Sequence, residues 1–93
     1  MINAKLIEKE DNVIVAIYDI KKGEEVEYLQ KNGEINKFEV LDDIKMFHKI
    51  AIEDIKKGEK IIKYGEHMGE ASKDIKKGEH VHTQNVNSVR EEL

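Results

Sequence analysis

Apolar and polar residues alternate in short bursts along the chain. VIVAIY (Val13–Tyr18), EVEYLQ (Glu25–Gln30) and INKFEVL (Ile35–Leu41) come first. HKIAI (His48–Ile52), KIIKY (Lys60–Tyr64) and EHVHTQN (Glu79–Asn85) follow. A period of two, rich in β-branched residues, predicts strands with one face turned inward. Ile2–Lys9 reads as a short opening strand and Asp11-Asn12 as a turn. Lys31-Asn32-Gly33-Glu34 carries Asn-Gly, the strongest short hairpin signal. Asp42–Met46 reads as a helical turn or loop, and Gly65–Gly69 as a Gly-bounded loop. Glu70–Lys73 leads into the next turn, and 86–93 reads as a polar tail.

Between these bursts one phrase recurs. DIKKGE stands at Asp19–Glu24, Asp54–Glu59 and Asp74–Glu79. Asp can bond its carboxylate to nearby backbone amides, and Gly can take positive φ to close a tight turn. Gly23, Gly58 and Gly78 are expected at positive φ, with the lysine pairs in solvent. Ile20, Ile55 and Ile75 are expected as buried anchors. The phrase thus reads as a strand–turn–strand joint used three times. An anion site of lysines and Gly amides is the weaker reading, since no long Gly-rich stretch opens a helix. Ile44, Phe47, Ala51 and Ile55 also fit helical spacing over Asp42–Lys57. The β-forming VIVAI run that leads into the first copy argues against that helix.

Many short strands and tight turns predict an all-β fold of low regularity, with residues 1–93 as a single domain. The chain of 93 residues has no Cys, no Trp and no Pro, so no disulfide or Cys-metal staple supports its small core. Self-association is a common remedy at this size, and a homo-oligomer is one expectation. Net charge is −4, with 39% charged residues of both signs intermixed. That is not the basic stripe of a nucleic-acid binder. No apolar run is long enough to span a membrane, and MINAKLIEKEDN lacks a signal-peptide pattern. A cytoplasmic protein is expected.

Histidines hold most of the candidate chemistry. His80 and His82, at i and i+2 of a strand, share one face, and Gln84 continues it. Two adjacent imidazoles can bind a divalent metal or move protons. From the residues alone, two solvated histidines on an edge strand are the simpler reading. His48 shares parity with Ile50 and Ile52, which puts it at the rim of the core with a backbone partner. His67 is expected in an exposed loop. With no Cys and only Ser72 and Ser88, a covalent nucleophile is not expected.

Five segments resemble a known family. They are HKIA (His48–Ala51), the Asp54–Glu59 joint, IKYGE (Ile62–Glu66), MGEA (Met68–Ala71) and GEHVHTQN (Gly78–Asn85). Together they resemble the N-terminal SAF domain, of β-clip fold, of altronate and galactarate dehydratases. They are also similar to the separate small subunit of sulfolactate sulfo-lyase. DNVIVAIYDIKKGE (Asp11–Glu24) is similar to that family's opening strand and first joint. The family's lead-in of the Pro-x-Gly-His-Lys kind is replaced by Lys45-Met46-Phe47 before His48. Gln84, a poor metal ligand, stands where many members carry a further His.

The resemblance implies an all-β SAF-like fold and a small subunit, inactive alone, of a sugar-acid dehydratase or sulfolactate-type lyase. A large catalytic dehydratase-like subunit would be its partner, and a sugar acid or sulfonated hydroxy acid the substrate. It implies a divalent metal of the Fe2+ or Mn2+ class in the assembled enzyme. His80 and His82 would be the catalytic and metal-ligating residues, with His48, Gln84 and Asn85 facing substrate. A stand-alone SAF-type module that binds a small ligand or forms oligomers is the alternative.

Overall fold

The computed structural model describes residues 1–88, and among these there is no helix. Nine strands form three antiparallel sheets. The central sheet holds β1 (Ala4–Lys5), β2 (Val13–Ala16), β5 (Lys49–Ala51) and β8 (His80–Val81), in the order β1-β2-β5-β8. A hairpin of β3 (Glu25–Leu29) and β4 (Ile35–Glu39) forms the second sheet. The third is β6 (Lys60–Lys63), β7 (Glu66–Ala71) and β9 (Val86–Ser88).

Alternation along the central sheet explains the layering. Ile14, Ala16 and Ile50 point into one apolar cluster with Ile20, Val26, Tyr28, Val40 and Ile44. Val13, Ala51 and Val81 point the other way, into a second cluster with Ile55, Ile61, Ala71 and Ile75. The central sheet is therefore apolar on both faces, which is why VIVA reads as a continuous run. Each fully buried Ile contributes roughly 1.5–3 kcal/mol of transfer free energy.

All three DIKKGE copies are joints of one geometry. Gly23, Gly58 and Gly78 have φ of 91°, 88° and 95°. In each, the Glu amide bonds the carbonyl of the first Lys, and the Glu carboxylate accepts from that same Lys amide at 2.8 Å. Ile20, Ile55 and Ile75 are buried, and every lysine of the pairs is exposed.

A further joint escaped the sequence reading. Asp43–His48, which runs from the Asp42–Met46 stretch expected as a helical turn or loop to the first residue of the expected strand, repeats the same path. His48 N bonds Lys45 O at 2.9 Å, and Phe47 sits at φ 73° where the other joints carry Gly. Its signal was the triplet Asp43-Ile44-Lys45, masked by Met46 and Phe47 in place of Lys-Gly.

The joints lock in pairs. Ile20 bridges Ile44, and Ile55 bridges Ile75. Carboxylates cross reciprocally: Asp43 accepts from Lys22 N and Asp19 from Met46 N, each at 2.9 Å. Asp74 accepts from Lys57 N and Asp54 from Lys77 N, again at 2.9 Å. One locked pair serves each core cluster.

Three other expectations change. Gly65–Gly69 is not a loop: β7 begins at Glu66, and the turn is Tyr64-Gly65 with φ of 59° and 73°. Positive φ at both positions suits a two-residue hairpin. Buried Asp11 holds that turn by accepting from Tyr64 N at 3.0 Å and Gly65 N at 2.8 Å. Glu79–Asn85 is a strand only over His80–Val81, because Asn85 folds the chain back on itself. Of the expected tail, Val86–Ser88 is β9, paired with Gly69–Ala71. A Cβ on Gly69 would lie 2.5 Å from Asn87 O, so this pairing needs glycine there. Residues 89–93 lie outside the described residues.

Candidate functional site

The antiparallel register of β5 and β8 pairs Lys49 with Val81 and Ile50 with His80. Extending that register by one residue sets His48 opposite His82. His48 leaves the Asp43–His48 joint, and His80 leaves the Asp74–Glu79 joint one residue after its Glu. Two joints thus deliver three imidazoles to one place at the margin of the central sheet.

The rings stack. Centroids of His48 and His82 are 4.4 Å apart, those of His48 and His80 5.1 Å, and those of His80 and His82 5.4 Å. His48 Nδ1 lies 2.9 Å from His80 Nε2, so one of the two carries a proton and donates. One nitrogen from each ring falls within 4.8 Å of the others. His48 does stand at the rim, partly buried, but its ring nitrogen meets another imidazole and not the expected backbone partner. Its membership was concealed because its place on the sheet follows from pairing register, which parity along one strand does not reveal.

Backbone contacts fix the His80–His82 segment. Asp42 Oδ2 accepts from His80 N at 2.9 Å. Asn85, itself buried, donates Nδ2 to His80 O at 2.8 Å and accepts from His82 N at 3.0 Å. Both ends of the Asn85 amide are thereby occupied within the chain, so Asn85 shapes the site from beneath. Gln84 folds back, with Nε2 3.2 Å from His80 Nδ1 and from His80 O. It orients the ring from the exposed side. His67 lies on β7, exposed and outside the cluster.

Electrostatics favour the neutral forms of His80 and His82. Burial lowers the pKa of His80, and His48, His82 and Lys49 add to that effect; Asp42 opposes it. Burial likewise lowers His82, reinforced by His48 and Lys49. Neutral imidazoles can accept a proton or ligate a cation, and protonated ones can do neither.

A slot of about 220 Å³ opens beside His82, lined by Lys49, Ile61, Met68, His82, Thr83 and Val86. Lys49 was not singled out by its sequence neighbourhood, being one of many lysines.

Fold and site together define a small all-β domain, built on paired joints, that presents a histidine cluster at a sheet margin. Residues 3–89 match the family described as the altronate/galactarate dehydratase SAF domain. The chain belongs to that family. It is 46% identical over 80 residues to the altronate dehydratase of Bacillus subtilis, covering 86% of this chain and 15% of that protein. It is 37% identical over 83 residues to the altronate dehydratase of Escherichia coli, covering 89% and 16%. It is also 45% identical over 53 residues to the (2R)-sulfolactate sulfo-lyase subunit alpha of Chromohalobacter salexigens, covering 57% and 56%. The chain thus spans about 15% of the dehydratases it matches, and no helix among the described residues is long and apolar enough to cross a membrane.

Proposed function

We propose that this chain is the accessory subunit of a sugar-acid dehydratase or sulfolactate-type lyase. It is inactive alone and lends its histidine face to a site completed by a larger subunit. The observation that carries this reading is the convergence of His48, His80 and His82 on one partly open margin. Its match to a small fraction of whole dehydratases and to a separately named alpha subunit supports the division of labour.

In such an elimination a proton leaves the carbon beside the carboxylate, and a hydroxyl or sulfonate group departs from the next carbon. An imidazole kept neutral is suited to take that proton. His82, which lines the slot, is the candidate base, and His48 and His80 share a proton behind it. The nitrogen donors also suit a divalent transition ion. His48, His80 and His82 would hold it, with His82 then a ligand instead of the base, and it would supply Lewis-acid stabilisation of developing negative charge. Gln84 orients His80 in either case, and Asn85 fixes the backbone of both β8 histidines.

Capture from source-organism extract with the tagged chain as bait tests the reading. A larger subunit is expected to co-elute, with turnover of altronate, galactarate or (2R)-sulfolactate. His82→Ala should lower that turnover by about 10²–10⁴-fold without releasing the partner. Recovery of the chain alone, with no turnover in any fraction, would sink the subunit reading. The slot on this chain itself favours the second reading, a small-ligand module without catalysis.

A further inference from the structure

We propose that the slot beside His82 seats a small organic anion, a carboxylate or a sulfonate, and that Lys49 meets its charge. The inference deepens the reading above by naming the residue that holds the acid group of a ligand.

The position of Lys49 is unusual for a lysine. It alternates with Ile50 on β5 and shares the face of Ala51, which belongs to the second core cluster. The side chain is only partly exposed, and it lines the slot together with Ile61 and Val86 of the third sheet. Its electrostatic neighbours are cations or bases: Lys63 on β6, and His80 and His82 across the strand pair. Among the described residues, the one ion pair within 4 Å joins the N-terminal ammonium to Glu27, far along the chain from Lys49. Among the described residues no carboxylate lies within 4 Å of the Lys49 ammonium, which stands half-buried beside the recess.

The other walls narrow the ligand class. Ile61, Met68 and Val86 are apolar, and Thr83 offers one hydroxyl. One ammonium and one hydroxyl suit a single anionic group, with carbon chain laid against the apolar side. At about 220 Å³ the slot is smaller than an ordinary drug-sized pocket, of roughly 300–1,000 Å³, so it seats the acid group and the carbons next to it. An acid held at Lys49 brings its adjacent carbon toward His82, because both residues line the same recess.

Titration of the 15N-labelled chain by NMR tests this, with lactate, propane-1-sulfonate and the neutral lactamide as probes. Lactate or the sulfonate is expected to shift the amides of Lys49, Met68, Thr83 and Val86 saturably, and lactamide to shift none. The tighter of the two anions identifies the acid group preferred. Lys49→Met should weaken binding by roughly tenfold or more, and Lys49→Arg should retain it within about threefold, as loss and retention of one charge-assisted contact imply. If Lys49→Met loses the native spectrum, Lys49→Gln takes its place. Equal shifts from lactate and lactamide would overturn the proposal, as would no saturable shift from either anion or unchanged affinity without the ammonium. Binding needs no partner, so its loss leaves the subunit reading standing if a large subunit co-elutes. Anion binding without a co-eluting partner favours the module reading.

Discussion

The two locked joint pairs make a controlled comparison within one molecule. The Ile55–Ile75 pair has Gly at both turns and Glu at both exits. The Ile20–Ile44 pair has the same reciprocal carboxylate bonds but carries Phe47 and His48 at one turn. Phe47 adopts a left-handed backbone that costs a residue with a side chain about 1–2 kcal/mol. It is 68% exposed, so burial of its ring returns little. His48 stands where the other joints place a Glu whose carboxylate caps the turn. The Ile55–Ile75 pair is thus built for stability, while the Ile20–Ile44 pair surrenders a glycine and a cap at the place where His48 enters the site. Strained backbone next to functional side chains is a recurring pattern.

The largest effect should come from breaking the regular pair. Gly78→Ala would place a Cβ 2.8 Å from Glu39 O as well as in a left-handed backbone. A loss of about 3 kcal/mol is expected. Gly58→Ala, with a similar φ of 88° and nothing within 4 Å, should lose only about 1 kcal/mol. Urea denaturation of both variants measures the gap, and equal losses would refute the role of the close approach at Gly78.

The irregular pair should respond in the opposite direction. Phe47→Gly relieves the left-handed strain and removes no core packing. A gain of about 0.5–1 kcal/mol is expected after the entropy of the added glycine is counted. Destabilisation would mean that the exposed ring makes a contact worth more than the strain.

The smallest effect concerns pH. His80 and His82 have folded pKa values below their unfolded ones. Above the unfolded value, near 6.5, both states are neutral and the fold has its full stability. As pH falls the unfolded chain takes up protons first, so stability drops until the folded values are passed. Thermal midpoints should therefore decline as the pH falls below 6.5, and more shallowly in a His80→Asn, His82→Asn double variant. Parallel declines would show that other groups set the dependence.

Much of this was legible in the chain. The three DIKKGE joints, their positive-φ glycines and buried isoleucines, and the Asn-Gly hairpin were written in local chemistry that tertiary contacts did not override. His80 and His82 were paired by strand parity alone. What stayed hidden depends on non-local pairing. His48 joins the cluster through the β5–β8 register, and Asn85 ends a strand by bonding backwards to His80 and His82. The Asp43–His48 joint was concealed because its turn carries phenylalanine where glycine is the usual signal. Lys49 acquires its character from what surrounds it in space.

The reciprocal carboxylate bonds also bear on how the chain finds its fold. They span 21 and 27 residues in one pair, and 17 and 23 in the other. Each pair joins joints that are consecutive along the chain, and the two loops do not interleave. The chain-entropy penalty of ring closure grows only with the logarithm of loop length. Two rings of modest size can therefore close independently before the central sheet clamps them together. Folding on this plan has two early local events and one late long-range one, and the histidine face, which needs the strand that leaves each ring, is assembled last.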